Sequence, residues 1–66
     1  MNREMIAVKL RALRGDKTRE EIAIACKVTA NAISMYETGA RVPCDDVKIR
    51  LANYFNKSVQ EIFFDA

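Results

Sequence analysis

The 66-residue sequence has no histidine, one proline, two glycines and two cysteines. Each scarcity excludes something. A structural zinc site needs four ligands, usually Cys or His, and Cys26 and Cys44 alone cannot supply them. The two thiols read instead as one core thiol and one loop or cap thiol in a reducing cytoplasm, the expected compartment. Two glycines do not make a phosphate-cradling loop. The acid pairs Glu20/Glu21 and Asp45/Asp46 fall at predicted helix N-termini, where the helix dipole favours anions for structural reasons. The expectation is therefore a non-enzyme with no metal and no cofactor. No apolar run approaches the ~18 residues of a spanning helix. No basic region followed by an apolar run opens the chain as in a secretory signal, so no membrane role is expected. A net charge of +2 and a pI of about 8.7 are compatible with nucleic acid. They do not point to it as a pI above ~9 with one-sided charge would.

Half of the residues are apolar, which suits a compact helical domain rather than a disordered tail. One domain over residues 1–66 is expected, near the lower size limit for a core without staples. Ile6, Leu10 and Leu13 make one helical stripe within residues 3–14, with Asn2 as N-cap and Gly15 just past the end. Arg3, Lys9 and Arg11 lie off that stripe. Thr18 and Glu21 have capping-box spacing and open a second helix with Ile22, Ala25 and Cys26 as its apolar face and Ala23 beside it. Lys27-Val28 turns the chain and Thr29 caps a third helix, with Val28 and Ile33 spaced as a hydrophobic staple.

On that third helix Ile33, Tyr36 and Glu37 share one side, while Asn31, Ser34, Met35 and Thr38 project from the other. An ordinary solvated helix face would carry Lys and Glu; this one carries no charge. Gly39 stops the helix and Pro43 precedes a fourth, about Asp45 to Phe55, with Val47, Leu51 and Phe55 as its stripe. Ser58 and Glu61 repeat the capping box before a last short helix containing Val59, Ile62, Phe63 and Phe64.

Two short helices, a tight turn and an outward face on the second have the form of a helix-turn-helix. The stretch TREEIAIACKVTANAISMYETGARVP resembles the Cro/repressor-type, XRE-like helix-turn-helix of phage repressors and bacterial regulators. That family's pattern runs roughly Thr-Gln-Glu-Glu-Leu-Ala, then Gly-Val-Ser, then Ile-Ser-x-Tyr-Glu-x-Gly-x-Arg-x-Pro. The resemblance implies an all-α, lambda-repressor-like bundle of five helices. It also implies a homodimer that binds operator DNA with the third helix in the major groove. Three departures stand out: Arg19 replaces the usual Gln, Lys27 replaces the usual Gly of the turn, and the link between the first two helices is short. By the resemblance Arg14 pairs with Glu37, so Arg14→Ala is expected to lower the melting temperature. The alternative is two surface charges worth under ~1 kcal/mol.

Within this frame the candidate phosphate contacts are Arg19, Arg41 and the helix N-termini at Thr18 and Thr29, with Lys17 and Lys27 behind them. The candidate base readers are Ala30, Asn31, Ser34 and Met35, since Asn can bond adenine bidentately and Ala or Met can touch a thymine methyl. The alternative for Asn31 and Ser34 is plain surface polarity. Phe55, Phe63 and Phe64 are first of all core candidates, but so small a core is not expected to bury all of Ile49, Val59, Ile62, Phe63 and Phe64, and Ile49, Val59, Phe63 and Phe64 are the candidate dimer interface. A dimer implies a pseudo-palindromic duplex operator. The chain leaves no room for an inducer-binding or self-cleaving domain, so control is expected through concentration, dimerisation or a regulatory partner protein. The expected role is transcriptional regulation, as a repressor. The competing role is a protein-interaction module, such as an antitoxin or accessory factor, that docks a partner through the same fold.

Overall fold

The computed structural model describes residues 2–64. Their regular structure is α1 (Arg3–Arg14), α2 (Arg19–Cys26), α3 (Ala30–Thr38), α4 (Asp45–Phe55) and a C-terminal π-helix (Gln60–Phe64), with no strand among the described residues. The caps explain the boundaries. Asn2 Oδ1 accepts from the Glu4 and Met5 amides at 3.0 and 3.1 Å. Thr18 Oγ1 accepts from the Glu21 amide at 3.1 Å, and Thr29 Oγ1 from the Ala32 amide at 3.0 Å. Each satisfies a donor that a helix start leaves orphaned. At Thr18 this is the half of the capping box that forms. At Ser58 both halves form: the Glu61 amide donates to Ser58 Oγ at 3.0 Å and the Ser58 amide to Glu61 Oε1 at 2.9 Å. α4 starts at Cys44 with no side-chain cap; Asp45 and Asp46 complement its dipole instead.

The core is built from Ile6, Leu10, Ile22, Ala23, Cys26, Ile33, Tyr36, Val47, Leu51, Ala52, Ile62 and Phe63. α3 packs between α1 and α2, α4 backs α2, and the π-helix closes against α1. The expected face of α2 shifts by one position: Ala23 is buried and Ala25 is exposed. At 100° per residue Ala23 and Ala25 lie equally far from the bisector of the Ile22–Cys26 face, so the period alone does not choose between them and packing against the neighbouring helices does. Leu13 and Phe55, at the ends of their stripes, are half-buried, and Phe55 meets Tyr54 edge to face with centroids 5.0 Å apart. No helix among the described residues is long and apolar enough to cross a membrane.

The turn between α2 and α3 has left-handed backbone at Lys27, φ 60° and ψ 43°. A side chain there is strained, whereas Gly adopts this region freely. Lys27→Gly should therefore stabilise the fold by about 0.5–1 kcal/mol after the extra freedom of Gly in the unfolded chain is deducted. In a thermal melt that is a rise of several degrees. A fall would mean that the Lys27 side chain contributes more than its backbone costs.

Candidate nucleic-acid interface

The last turn of α3 is tied down by arginines. Glu37 is 1% exposed, so its carboxylate needs full pairing in place of water. Arg14 Nε donates to Glu37 Oε2 at 2.7 Å and Arg19 Nε to Oε1 at 3.0 Å. Arg11 Nη1 donates to the Glu37 backbone carbonyl, and Arg14 Nη1 also reaches the Lys17 carbonyl at 2.9 Å. Three guanidiniums from α1 and α2 thus converge on one carboxylate and its carbonyl. The cluster carries surplus positive charge at the C-terminal end of α3, where the helix dipole welcomes it.

The sequence anticipated Arg14 in this cluster but not the other two. Arg19 stands one turn ahead of Ile22 and Ala23 and so lies on the inward face of α2, a signal present in the spacing. Its side chain is nevertheless 42% exposed, against 22% for Arg14. Its Nη groups make no hydrogen bond among the described residues, so pairing with Glu37 positions Arg19 without consuming it. Arg11 was read as off the α1 stripe; it is exposed, yet long enough to reach α3.

With its end fixed, α3 turns Asn31 and Met35 to solvent, with Ser34 half-buried beside them. Thr38 is exposed too, and its Oγ1 is turned back to the Met35 carbonyl at 3.2 Å. Ala30 is half-buried against the core, so only part of it can touch a ligand. The hydroxyls of Thr18 and Thr29 are occupied as caps; what these two positions offer an anion is the first amides of α2 and α3. Lys17, Lys27 and Arg41 are exposed, and their side chains make no hydrogen bond or ion pair among the described residues. The Arg41 amide donates to the Met35 carbonyl at 3.3 Å, which folds the following loop back onto α3.

Behind the turn, Arg50 of α4 donates through Nη1 to the Cys26 carbonyl at 2.9 Å and lies 3.5 Å from the Lys27 carbonyl. Burial pushes the Cys26 thiol up from its ordinary pKa, opposed by the Arg50 charge. Burial likewise raises the Tyr36 hydroxyl, opposed by Arg41 and Arg50. Cys44 is exposed, and no group of His, Cys, Asp or Glu among the described residues could hold a metal ion.

The candidate dimer residues divide. Phe63 is 2% exposed and part of the core, so it offers no surface to a partner, and Val59 is half-buried against the core and offers only part of one. Ile62 and Phe63 both face inward, as adjacent buried pairs also do in α1 to α4. Ile49 and Phe64 remain, each 52% exposed. Lys48, beside Ile49, is buried with its ammonium 5.2 Å from the Phe64 ring centroid and 6.0 Å from that of Phe63. This cation–π contact joins α4 to the π-helix.

The helix-turn-helix family model matches residues 9–62. No curated protein matches the chain. Among solved structures it is similar to the clp gene regulator ClgR from Corynebacterium glutamicum. One structure of ClgR superposes with a TM-score of 0.83 at 26% identity, covering 94% of this chain and 68% of that one. A second gives a TM-score of 0.79 at 26% identity, covering 94% and 83%.

Proposed function

Since the chain belongs to the XRE-like helix-turn-helix family of DNA-binding transcriptional regulators, we propose that α3 enters the major groove of a duplex operator and reads it directly. The observation that carries this reading is the uncharged outward face of α3, flanked by uncommitted cations and locked at its far end by the arginines on Glu37. An uncharged face can meet base edges without stranding a charge, while Lys17, Lys27, Arg41 and the Nη groups of Arg19 neutralise phosphates on either side. Asn31 and Met35 are the principal base readers, with Ser34 and Ala30 at the margin. The similarity to a gene regulator over 94% of the chain supports the same direction. Selecting bound duplexes from a random pool tests it: recovery of one motif supports direct reading, and recovery of an unenriched pool contradicts it.

The operator is read as two half-sites ~34 Å apart, matching a two-fold homodimer. Ile49 and Phe64, the exposed apolar residues of α4 and the π-helix, are the surface for that contact. Replacing both, as Ile49→Asp with Phe64→Asp, should leave a monomer in sedimentation and weaken operator binding. A wild-type monomer that binds DNA one to one would remove the dimer from the account. Occupying an operator blocks other proteins there, so the regulatory sign is read as repression. One observation favours the competing role of docking a protein: Ile24 on the outer side of α2 is 80% exposed. Salt-dependent affinity for duplex DNA separates the two roles.

A further inference from the structure

The arginine cluster fixes the last turn of α3; the side chains that face a ligand begin at its other end. There the backbone donors run out. The Ala23 carbonyl accepts from the Val28 amide at 3.0 Å, and the Ile24 carbonyl from the Lys27 amide at 3.3 Å. The Cys26 carbonyl, on a residue with no exposed surface, is met by Arg50 at 2.9 Å. Lys27, the pivot of the turn, is held in a left-handed conformation that a lysine does not favour. Thr29 follows, then Ala30 and Asn31 at the start of α3.

We propose that Arg50 is a positioning residue for DNA recognition: bonded from α4 to the Cys26 carbonyl, it keeps Lys27 left-handed and so sets where the first turn of α3 lies. The proposal rests on the reading of α3 as a DNA-reading helix. Without Arg50 the Cys26 carbonyl is left buried without a donor, and Lys27 gains by moving out of its strained conformation. Both changes push the turn the same way, away from its native shape. A base-edge hydrogen bond tolerates only a few tenths of an ångström, so a small shift of Thr29–Asn31 removes sequence preference. Phosphate attraction is long-ranged and survives such a shift. Arg50 therefore governs the ratio of specific to non-specific binding.

The test uses a duplex selected from a random pool by the wild-type protein, with poly(dI-dC) as the non-specific competitor. Arg50→Met keeps the apolar stem and removes the donors; Lys57→Met, at an exposed lysine, controls for the lost charge. Arg50→Met should lower the specific-to-non-specific ratio at least about tenfold, the size of one lost base contact. Its poly(dI-dC) affinity should match that of the control. Amide exchange at Val28 should quicken at least about tenfold while α1 amides keep their protection. Adding Lys27→Gly, which accepts the left-handed backbone freely, should restore most of the ratio. Arg50→Gln, neutral and shorter than arginine, is read in the same way if Arg50→Met does not fold. An unchanged ratio in folded Arg50→Met, or unchanged Val28 exchange, overturns the role of Arg50 and leaves DNA binding by α3 standing. A wild-type protein that prefers no duplex sequence overturns both, and Val28 exchange then reports only whether Arg50 holds the turn.

Discussion

Replacing Arg14 and Arg19 together by alanine should cost about 3–5 kcal/mol, the loss expected when a buried charge is left without its partners. The total stability expected of a domain this size is about 3–10 kcal/mol, so the double variant should be partly or wholly unfolded at room temperature. The single variants should be much milder. After Arg14→Ala, Arg19 still binds Oε1 of Glu37, and after Arg19→Ala, Arg14 still binds Oε2. Each is expected to cost about 1–2 kcal/mol, with Arg19 the smaller because its more exposed side chain is better screened. The damage is thus strongly non-additive, as for residues sharing one partner. A fourth variant identifies the cause. Adding Glu37→Leu to the double variant removes the stranded carboxylate and should recover much of the loss, since apolar replacement of a buried ion cluster is often near neutral. Urea denaturation of the four proteins checks this. Additive single losses would mean that the two arginines act independently of Glu37.

The second large effect is on binding. Asn31→Ala should cost about 1–3 kcal/mol against the selected operator and relax preference at one base position, because a bidentate contact is lost. Arg41→Ala and Lys17→Ala should behave differently, weakening all duplexes alike and each reducing the salt slope by about one. The contrast is the informative part. Asn31 is exposed on α3 with no hydrogen bond from its side chain among the described residues, so its removal should leave the fold intact. Titrating the variants against the operator and single-base variants of it gives both effects from one data set. A uniform weakening by Asn31→Ala would place Asn31 on a phosphate rather than a base.

The helices were legible because local signals specify them. Asn2, Thr18, Thr29 and Ser58 all accept the amide bonds their spacing implied, and Gly15, Lys27, Gly39 and Asn56 mark the left-handed or positive-φ ends. The buried side of α3 followed from its period. Side-chain reach across elements was not legible. Arg11, Arg19 and Arg50 make their principal contacts with residues distant in sequence. Which carbonyl or carboxylate a long guanidinium finds depends on packing rather than period. Phe63 was a core candidate that also entered the interface set because so small a core was expected to run out of room; the core takes it in, at 2% exposed, and leaves Phe64 outside. Nothing in the sequence marks Lys48 as buried; the Asp45 carboxylate at 3.6 Å and the rings of Phe63 and Phe64 accommodate its charge.

The central claim is that α3 reads duplex DNA, and the most direct measurement is affinity for the selected duplex against a scrambled duplex across a salt series. Log affinity for both should fall linearly with log salt, by about a hundredfold or more between about 50 and 200 mM, as phosphates release counterions. The selected duplex should stay tighter throughout by about a thousandfold or more. Equal affinities for the two duplexes, or no salt-dependent binding to either, would contradict the account.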